Sequence, residues 1–238
     1  MNEDIYIVTG ASRGIGAALY HELSKEKAHR VLGVARSNPG GLESFLTLDL
    51  TELSKHDAIT SWLSEHLSNA RSVTLINNAG VVDPIGMVGA LDASSIQQAV
   101  TLNVTAPIAL SNAFVNALKI SNIPKKILNI SSGASTSAIA GWATYCATKA
   151  ALDQFTRVMH VEQQKAQFPV RVMAVAPGII DTDMQKTIRA SEDEAFPDVL
   201  RFRELKQTGQ LQSPEDTARG LISLLQSPSF GAQAVGRL

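Results

Sequence analysis

The chain begins with a short apolar segment that runs directly into a glycine-rich loop. Residues 5–8 are apolar, and Thr9-Gly10-Ala11-Ser12-Arg13-Gly14-Ile15-Gly16 follows them. Glycines at this spacing permit a tight turn and let the backbone approach a phosphate, which the free N–H groups of a following helix then bind. Because the loop comes between a strand and a helix, it predicts dinucleotide binding by Gly10, Ser12, Arg13, Gly14, Ile15 and Gly16.

Strand and helix patterns alternate along the rest of the chain. Strands are predicted at residues 5–8, 31–34, 45–48, 73–76, 126–130 and 170–175, and helices near 15–27, 53–67, 95–119, 145–167 and 214–226. Apolar strands in this alternation are typical of a parallel sheet covered on both faces. No linker divides the chain, so residues 1–238 are predicted to form one α/β domain, a Rossmann-type doubly wound parallel sheet flanked by helices.

Composition narrows the class of protein. The net charge is −1, which gives no electrostatic reason to expect nucleic acid or an anionic membrane as a partner. The single cysteine, Cys146, suits a reducing compartment and is expected to pack rather than to act as a nucleophile. The five histidines have no metal-ligand spacing, so no metal is predicted. Residues 1–4 are polar and no apolar run could span a membrane, so we expect a cytoplasmic protein.

Residues 183–210 interrupt the strand–helix rhythm. The segment is charged, contains Pro197 and lies between the last predicted strand and the last predicted helix. One interpretation is a solvent-exposed helical insertion between the strand and the helix. The other is a lid over a site at the carboxyl ends of the strands, where open α/β sheets bind ligands.

The end of the second predicted strand bears on cofactor choice. An NAD-preferring site usually has an acidic residue there, but this chain has Ala35 followed by Arg36. Arg36 and Arg13 could grip a 2′-phosphate, so NADPH/NADP+ is the predicted cofactor, unless both arginines are merely solvated. Asp49, with Leu50 beside it, is predicted to contact the adenine; the alternative for Asp49 is a turn or helix-capping residue.

A tyrosine and a lysine four residues apart, Tyr145 and Lys149, share one face of a predicted helix. Such a pair is usually a surface feature. A nearby ammonium, however, lowers the pKa of a phenol, which could then exchange a proton near neutral pH. Ser132 lies thirteen residues before the tyrosine.

These residues together resemble the short-chain dehydrogenase/reductase family. The matching segments occur in the family's order and span nearly the whole chain: residues 9–16, 77–80, Asn103, Ser132, Tyr145-x-x-x-Lys149, Pro177-Gly178 and Thr182. Within the family, residues 141–146, 176–185 and 205–211 resemble sepiapterin reductase and the related benzil reductases.

The resemblance implies a role for each matched residue. Tyr145 would be the general acid, Lys149 would lower the Tyr145 pKa and bind the nicotinamide ribose, and Ser132 would bind the substrate oxygen. Asn103 would hold a water that links Lys149 to solvent. Taken alone, Ser132 could be a strand-end cap and Asn103 a buried amide bonded to backbone. The remaining cofactor contacts would come from Asn77, Ala79, Gly80, Pro177, Gly178, Ile180 and Thr182.

The substrate is the least determined element. Trp142 and Met184, with Phe196 and Phe202 of the lid, suggest a pocket for a flat apolar carbonyl compound, although Trp142 could only pack the loop. Sepiapterin reductase anchors its pterin with a carboxylate near the C-terminus, whereas residues 229–238 contain no acidic residue. This tail also looks short for the family's last strand, as a clipped chain would.

We therefore expect an NADPH-dependent reductase of an α-dicarbonyl such as benzil. The alternatives are a sepiapterin reductase and a non-catalytic NADPH-binding sensor. The family resemblance also implies a homodimer or homotetramer formed through the helices near 95–119 and 145–167, where Ala147, Ala150 and Ala151 offer a small apolar face.

Overall fold

A computed structural model describes residues 3–238; Met1 and Asn2, part of the polar start, lie outside the described residues. A single parallel sheet organises the chain, with strand order β3-β2-β1-β4-β5-β6-β7. Its strands are β1 (Glu3–Thr9), β2 (His29–Ala35), β3 (Phe45–Thr47), β4 (Ala70–Asn77), β5 (Lys125–Ile130), β6 (Arg171–Ala176) and β7 (Val235–Arg237).

Helices connect successive strands. They are α1 (Gly14–Leu23), α2 (Asp57–His66), α3 (Ala93–Val100), α4 (Ala106–Ala117), α5 (Ala143–Gln163), α6 (Asp183–Arg189), α7 (Val199–Gln207) and α8 (Pro214–Gln226). No helix within residues 3–238 has the length and apolar character needed to cross a membrane.

Alternate residues of each strand face opposite sides of the sheet, which explains why the strands are apolar throughout. Ile5 and Ile7 of β1 pack on the side that holds α2, α4 and α5, whereas Tyr6 and Val8 pack on the side that holds α1 and α8. The sheet is thus covered on both faces, and the doubly wound Rossmann-type fold predicted from the sequence is confirmed.

Two predicted elements differ from the structure. The helix predicted over 95–119 is interrupted by a π-helical turn at Thr101–Thr105, which separates α3 from α4. Pro107 has no N–H to donate to the carbonyl of Asn103, four residues earlier, so regular α-helical bonding cannot continue there. The tail, which looked too short for a strand, forms β7 and pairs with β6 from Ala174 to Ala176.

Candidate active site

Four loops meet at the carboxyl ends of the central strands. The glycine loop follows β1, residues 77–80 end and follow β4, Ser132 follows β5, and Pro177-Gly178 follows β6. Because parallel strands end at the same edge of a sheet, these loops line one crevice. The crevice lies where the chain reverses its direction across the sheet, between β1 and β4.

The glycine loop and the loop after β4 are packed against each other. A Cβ on Gly10, whose φ is +69°, would lie 2.9 Å from the Ala79 Cα, and one on Gly16 would lie 2.2 Å from the Gly10 carbonyl oxygen. Asn78 Nδ2 donates to the Thr9 carbonyl at 2.9 Å, and the Ala79 N–H donates to Thr9 Oγ1 at 3.1 Å. Backbone, rather than side chains, therefore forms the wall of the crevice here.

The N-terminus of α1 is open to an anion. Its N-cap residue, Arg13, makes no side-chain capping bond, and the first turn contains no acidic residue. The free N–H groups and the positive end of the helix dipole both favour a phosphate at this position. The chain therefore offers the donor set that a dinucleotide pyrophosphate requires.

Asn77 does not turn its side chain toward this crevice. Its Nδ2 donates to Asn129 Oδ1 at 2.8 Å and to Ser111 Oγ at 3.2 Å, inside the protein. The Asn77 Oδ1 is buried and has no partner. Any contact of Asn77 with a ligand would therefore come from its backbone.

The residues predicted for the adenine end lie near one another. Arg36 is exposed at the end of β2 and contributes to lowering the pKa of Asp49, although the backbone hydrogen bond from Thr51 contributes most. Asp49 Oδ1 accepts from the Thr51 N–H at 2.9 Å, as a turn residue does. Arg13 belongs to the glycine loop. Its exposed Nη1 lies 3.9 Å from Asp183 Oδ2.

Tyr145 and Lys149 are both buried on α5, with the lysine Nζ 5.8 Å from the centre of the tyrosine ring. Lys149 Nζ donates to the Ile130 carbonyl at 2.8 Å, which ties the helix to the end of β5. Ser132, two residues further on, accepts from the Ala134 N–H at 3.1 Å. The serine is thus a cap, as the sequence allowed, and its hydroxyl lies close enough to Tyr145 to act on the pKa of that phenol.

Burial has the largest influence on the pKa values of Tyr145 and Lys149. Desolvation raises the pKa of Tyr145, the hydrogen bond with Ser132 acts in the opposite direction, and Cys146 adds a small increase. Burial also lowers the pKa of Lys149 to about 8, against the attraction of Asp153. The pKa of Tyr145 is thus raised by burial, and the lowering by Lys149 that the sequence predicts stays a prediction. Tyr145 keeps its proton, as a general acid must.

Asn103 lies in the π-helical turn and is 2 % exposed. Its Oδ1 accepts from the Val81 N–H at 2.9 Å, and its Nδ2 donates to the Val81 carbonyl at 2.8 Å. Nδ2 also donates to Thr148 Oγ1 at 3.2 Å. The side chain is therefore engaged with backbone and Thr148, and Pro107 has no N–H to donate to the Asn103 carbonyl.

The segment after β6 adds polar groups near the glycine loop. Thr182 begins α6 but makes no side-chain capping bond, and its Cγ2 would lie 3.2 Å from a Cβ on Gly14. Ile180 is 6 % exposed and pairs with Gln212 in an isolated bridge. Thr182 therefore lies against Gly14 of the glycine loop, and Pro177, Gly178 and Ile180 belong to the segment that leads to it.

The residues from 4 to 193 match the family model for short chain dehydrogenases. The chain belongs to this family. It is 38 % identical over 228 residues to an (S)-benzoin-forming benzil reductase of Bacillus subtilis. The matched residues make up 94 % of this chain and 93 % of that protein. It is 31 % identical over 252 residues to sepiapterin reductase of Rattus norvegicus, which covers 97 % of this chain and 94 % of that protein.

Solved structures agree with this assignment. A short-chain dehydrogenase/reductase of Saccharomyces cerevisiae superposes with a TM-score of 0.85 at 28 % identity, over 98 % of this chain and 95 % of that one. Short-chain dehydrogenases are oxidoreductases of carbonyl and alcohol groups that bind nicotinamide cofactors, and this chain is such an enzyme. The open α1 N-terminus and the backbone-lined crevice fit a nicotinamide dinucleotide.

An aromatic cluster adjoins Tyr145 in this short-chain dehydrogenase. Trp142 stacks on Phe196, with 4.8 Å between ring centroids, and meets Phe202 at 5.3 Å. Its ring lies edge-on to Tyr145 at 5.4 Å. Met184 is half-buried against this cluster. The aromatic residues of segment 183–210 therefore pack beside the tyrosine, and the Trp142 Nε1, which is buried, has no hydrogen-bond partner.

Sequence reasoning missed two polar residues behind the site, Ser131 and Asp153. Ser131 Oγ donates to Asp153 Oδ1 at 2.5 Å, and both residues are buried. Asp153 follows Lys149 by four residues, as Lys149 follows Tyr145. Extending the four-residue spacing by one more helical turn would have found it.

Proposed function

We propose that the chain reduces an α-dicarbonyl compound, a benzil-like diketone, to a hydroxyketone with NADPH. The observation that carries the proposal is the position of the buried Tyr145 beside an apolar aromatic cluster, with its ring centroid 5.4 Å from that of Trp142. A phenol that keeps its proton can protonate a carbonyl oxygen, and aromatic walls suit an aryl ketone. The Bacillus subtilis relative, named a benzil reductase, supports this substrate class.

In the proposed reaction, bound NADPH supplies a hydride to the carbonyl carbon. Tyr145 donates its phenolic proton to the carbonyl oxygen as negative charge develops there. Ser132 donates a hydrogen bond to the same oxygen and stabilises that charge. Lys149, held by its bond to the Ile130 carbonyl, keeps a positive charge close to the tyrosine and has further N–H groups to offer the nicotinamide ribose.

Return of a proton to Tyr145 needs a path to solvent. The carbonyl of Asn103, to which Pro107 cannot donate, is the acceptor proposed to hold a water between Lys149 and solvent. A Cβ on Gly80 would lie 3.1 Å from Asn103 Oδ1 and 3.7 Å from Lys149 Nζ, so these two residues lie near each other across Gly80. A larger residue at position 80 would therefore crowd both of them.

NADPH is proposed over NADH on the charge at the adenine end. Ala35 stands where an acidic residue would bind a ribose 2′-hydroxyl, and Arg36, the next residue, is exposed. The guanidinium of Arg13 forms a weak, exposed ion pair with Asp183. A phosphate could take the place of the Asp183 carboxylate. Asp49, whose Oδ1 receives both Thr51 bonds, keeps Oδ2 for the adenine, with Leu50 beneath it.

Residues 183–210 are proposed to be the substrate lid of this one domain. Phe196 and Phe202 place the lid on Trp142, and Lys206 anchors it through a 2.5 Å bond to Asp181. Trp142 and Met184 are the proposed substrate contacts.

We further propose a homodimer or homotetramer that acts in the cytoplasm. The outer face of α5 carries Ala147, Ala150 and Ala151, all exposed, and continues to Val158 and Val161, which are 48 % and 54 % exposed. An apolar stripe along a long helix is typical of a self-association surface.

The test is reduction of benzil and a panel of aliphatic and aromatic diketones, followed as loss of NADPH absorbance, beside a Tyr145→Phe control. Turnover by the native chain but not by the control supports the proposal. Assaying sepiapterin in parallel separates the second candidate, which the 31 % identical rat enzyme favours. Tight NADPH binding without turnover of any carbonyl would instead leave a non-catalytic sensor.

A further inference from the structure

One face of α5 holds the end of β5 through two buried side chains. Lys149 Nζ donates to the Ile130 carbonyl at 2.8 Å, and Asp153 Oδ1 accepts from Ser131 Oγ at 2.5 Å. The lysine and the aspartate are one helical turn apart, so they bind successive residues of the strand. Tyr145 lies one further turn toward the N-terminus of the same helix.

Asp153 is 2 % exposed, which is an unusual position for a carboxylate. Taking a charge out of water costs free energy unless hydrogen bonds and a positive charge replace the lost hydration. The Ser131 hydroxyl supplies the hydrogen bond, and Lys149 is the positive group one turn away. An apolar residue could fill the same space, so packing alone does not account for a carboxylate here.

The bond to Asp153 completes the attachment of Ser131 on two sides. The Ser131 N–H donates to the Val175 carbonyl at 2.8 Å, which holds its backbone to β6. Its side chain is held to α5 by Asp153. Ser132 is the next residue, so its place opposite Tyr145 depends on how Ser131 is fixed.

We propose that Asp153 is a positioning residue for carbonyl reduction, which acts through Ser131 to hold Ser132 against Tyr145. The inference rests on the proposed roles of Ser132 and Tyr145. It adds a residue that touches neither substrate nor cofactor and that sets the geometry of the two residues that meet the carbonyl oxygen.

The charge on Asp153 serves the same site. Burial lowers the pKa of Lys149, and the Asp153 carboxylate opposes that shift. The carboxylate thus favours the ammonium form of the lysine. A neutral replacement would lose this effect even where it kept the bond to Ser131.

The experiment compares Asp153→Ala, Asp153→Asn and Ser131→Ala with a matched control, Thr156→Val. Thr156 is fully buried on the same helix face and also bonds β5, through Asn129 Nδ2 at 2.8 Å, but it does not touch Ser131. Thr156→Val therefore removes a comparable strand–helix bond farther from Ser132. Each variant is assayed for diketone reduction and for NADPH binding at a temperature where circular dichroism shows it to be folded.

We expect Asp153→Ala to lower kcat by about a hundredfold, the cost of a misplaced catalytic group, with little change in NADPH affinity. Asp153→Asn keeps an acceptor oxygen for Ser131 and should recover most of that loss. Ser131→Ala, which keeps the Asp153 charge, should lose nearly as much kcat as Asp153→Ala, and the double variant should lose no more than Asp153→Ala alone. A kcat for Asp153→Ala equal to that of Thr156→Val would overturn the proposal.

Failure of the proposed function must be separable from failure of this inference. If the native chain reduces no carbonyl, the proposed function is lost, and crystal structures of Asp153→Ala and Thr156→Val decide the inference. The Ser132 hydroxyl should be displaced from Tyr145 in the first variant and unmoved in the second. An undisplaced Ser132 in Asp153→Ala contradicts the positioning role, whatever the substrate.

Discussion

The indole of Trp142 lies nearly parallel to the ring of Phe196, with 11° between their planes and 4.8 Å between their centroids. Trp142 is the N-cap residue of α5, the helix that carries Tyr145, and Phe196 belongs to segment 183–210. This stack thus connects the proposed lid with the helix that carries Tyr145 and Lys149.

Replacing Phe196 with alanine should weaken substrate binding as well as destabilise the fold. Phe196→Ala should destabilise the fold by about 3–5 kcal/mol and raise KM for an aryl diketone, because the wall of the proposed pocket is lost. Phe230→Ala is the control, since Phe230 is equally buried but lies on the other side of the sheet. It should cost similar stability and leave KM unchanged. Equal KM values for the two variants would mean that Phe196 only packs the lid.

Lys149 should make stability depend on pH. Burial lowers its pKa from 10.5 to about 8, so between these pH values the unfolded chain binds more protons than the folded chain. Stability due to this group therefore rises with pH across the window, by at most about 3 kcal/mol. Urea unfolding at several pH values between 8 and 10 should show a shallower rise for Lys149→Met. Parallel profiles would refute the shift.

Removing the Arg36 guanidinium should change cofactor preference. Charge-assisted hydrogen bonds contribute about 1.5–3 kcal/mol, so Arg36→Ala should raise KM for NADPH by about ten- to a hundredfold. KM for NADH should stay nearly constant, because NADH has no 2′-phosphate. Arg219→Ala, an exposed arginine on α8, is the charge-matched control and should change neither value. A similar rise for both cofactors would show a general role of Arg36 in binding.

A charge on the outer face of α5 should disrupt self-association. Val161 is 54 % exposed on that face, and Val161→Glu would bury a carboxylate in any interface formed there. Light scattering should show a smaller assembly than for the native chain. Leu53→Glu, at a 40 % exposed residue away from α5, should leave the mass unchanged. An unaltered assembly in Val161→Glu would place the interface elsewhere.

The sequence was sufficient for six of the seven strands, because strands such as β1 are apolar on both faces and the glycine loop is a local signal. It also brought Ser132, Tyr145 and Lys149 to one crevice by family spacing. Two features of the site were not predicted from the sequence. The protonation of Tyr145 follows from how deeply the chain buries it, which no spacing reveals. The π-helical turn at Asn103 follows from Pro107, a local signal that the long helical pattern concealed.

β7 and the Ser131–Asp153 bond were missed for a related reason. Val235–Arg237 is only three residues long and becomes a strand because β6 offers an unpaired edge. From the sequence, Asp153 is an ordinary charged residue of a helix. Its role depends on Ser131, which lies 22 residues earlier and bonds to it in the fold. In both cases the local sequence does not indicate which partner the residues contact, and tertiary contacts decide it.

Tyr145, Lys149 and Asp153 all belong to one helix of 21 residues, whereas Met184, Phe196 and Phe202 of the proposed pocket lie in the segment between β6 and α8. The proposed proton transfer and the proposed substrate choice thus belong to separate parts of the chain, which meet at the Trp142–Phe196 stack. Changes in residues 183–210 can therefore alter which ketone is accepted without moving the groups that deliver the proton. Such a division lets one reductase scaffold acquire new substrates through a single replaceable segment.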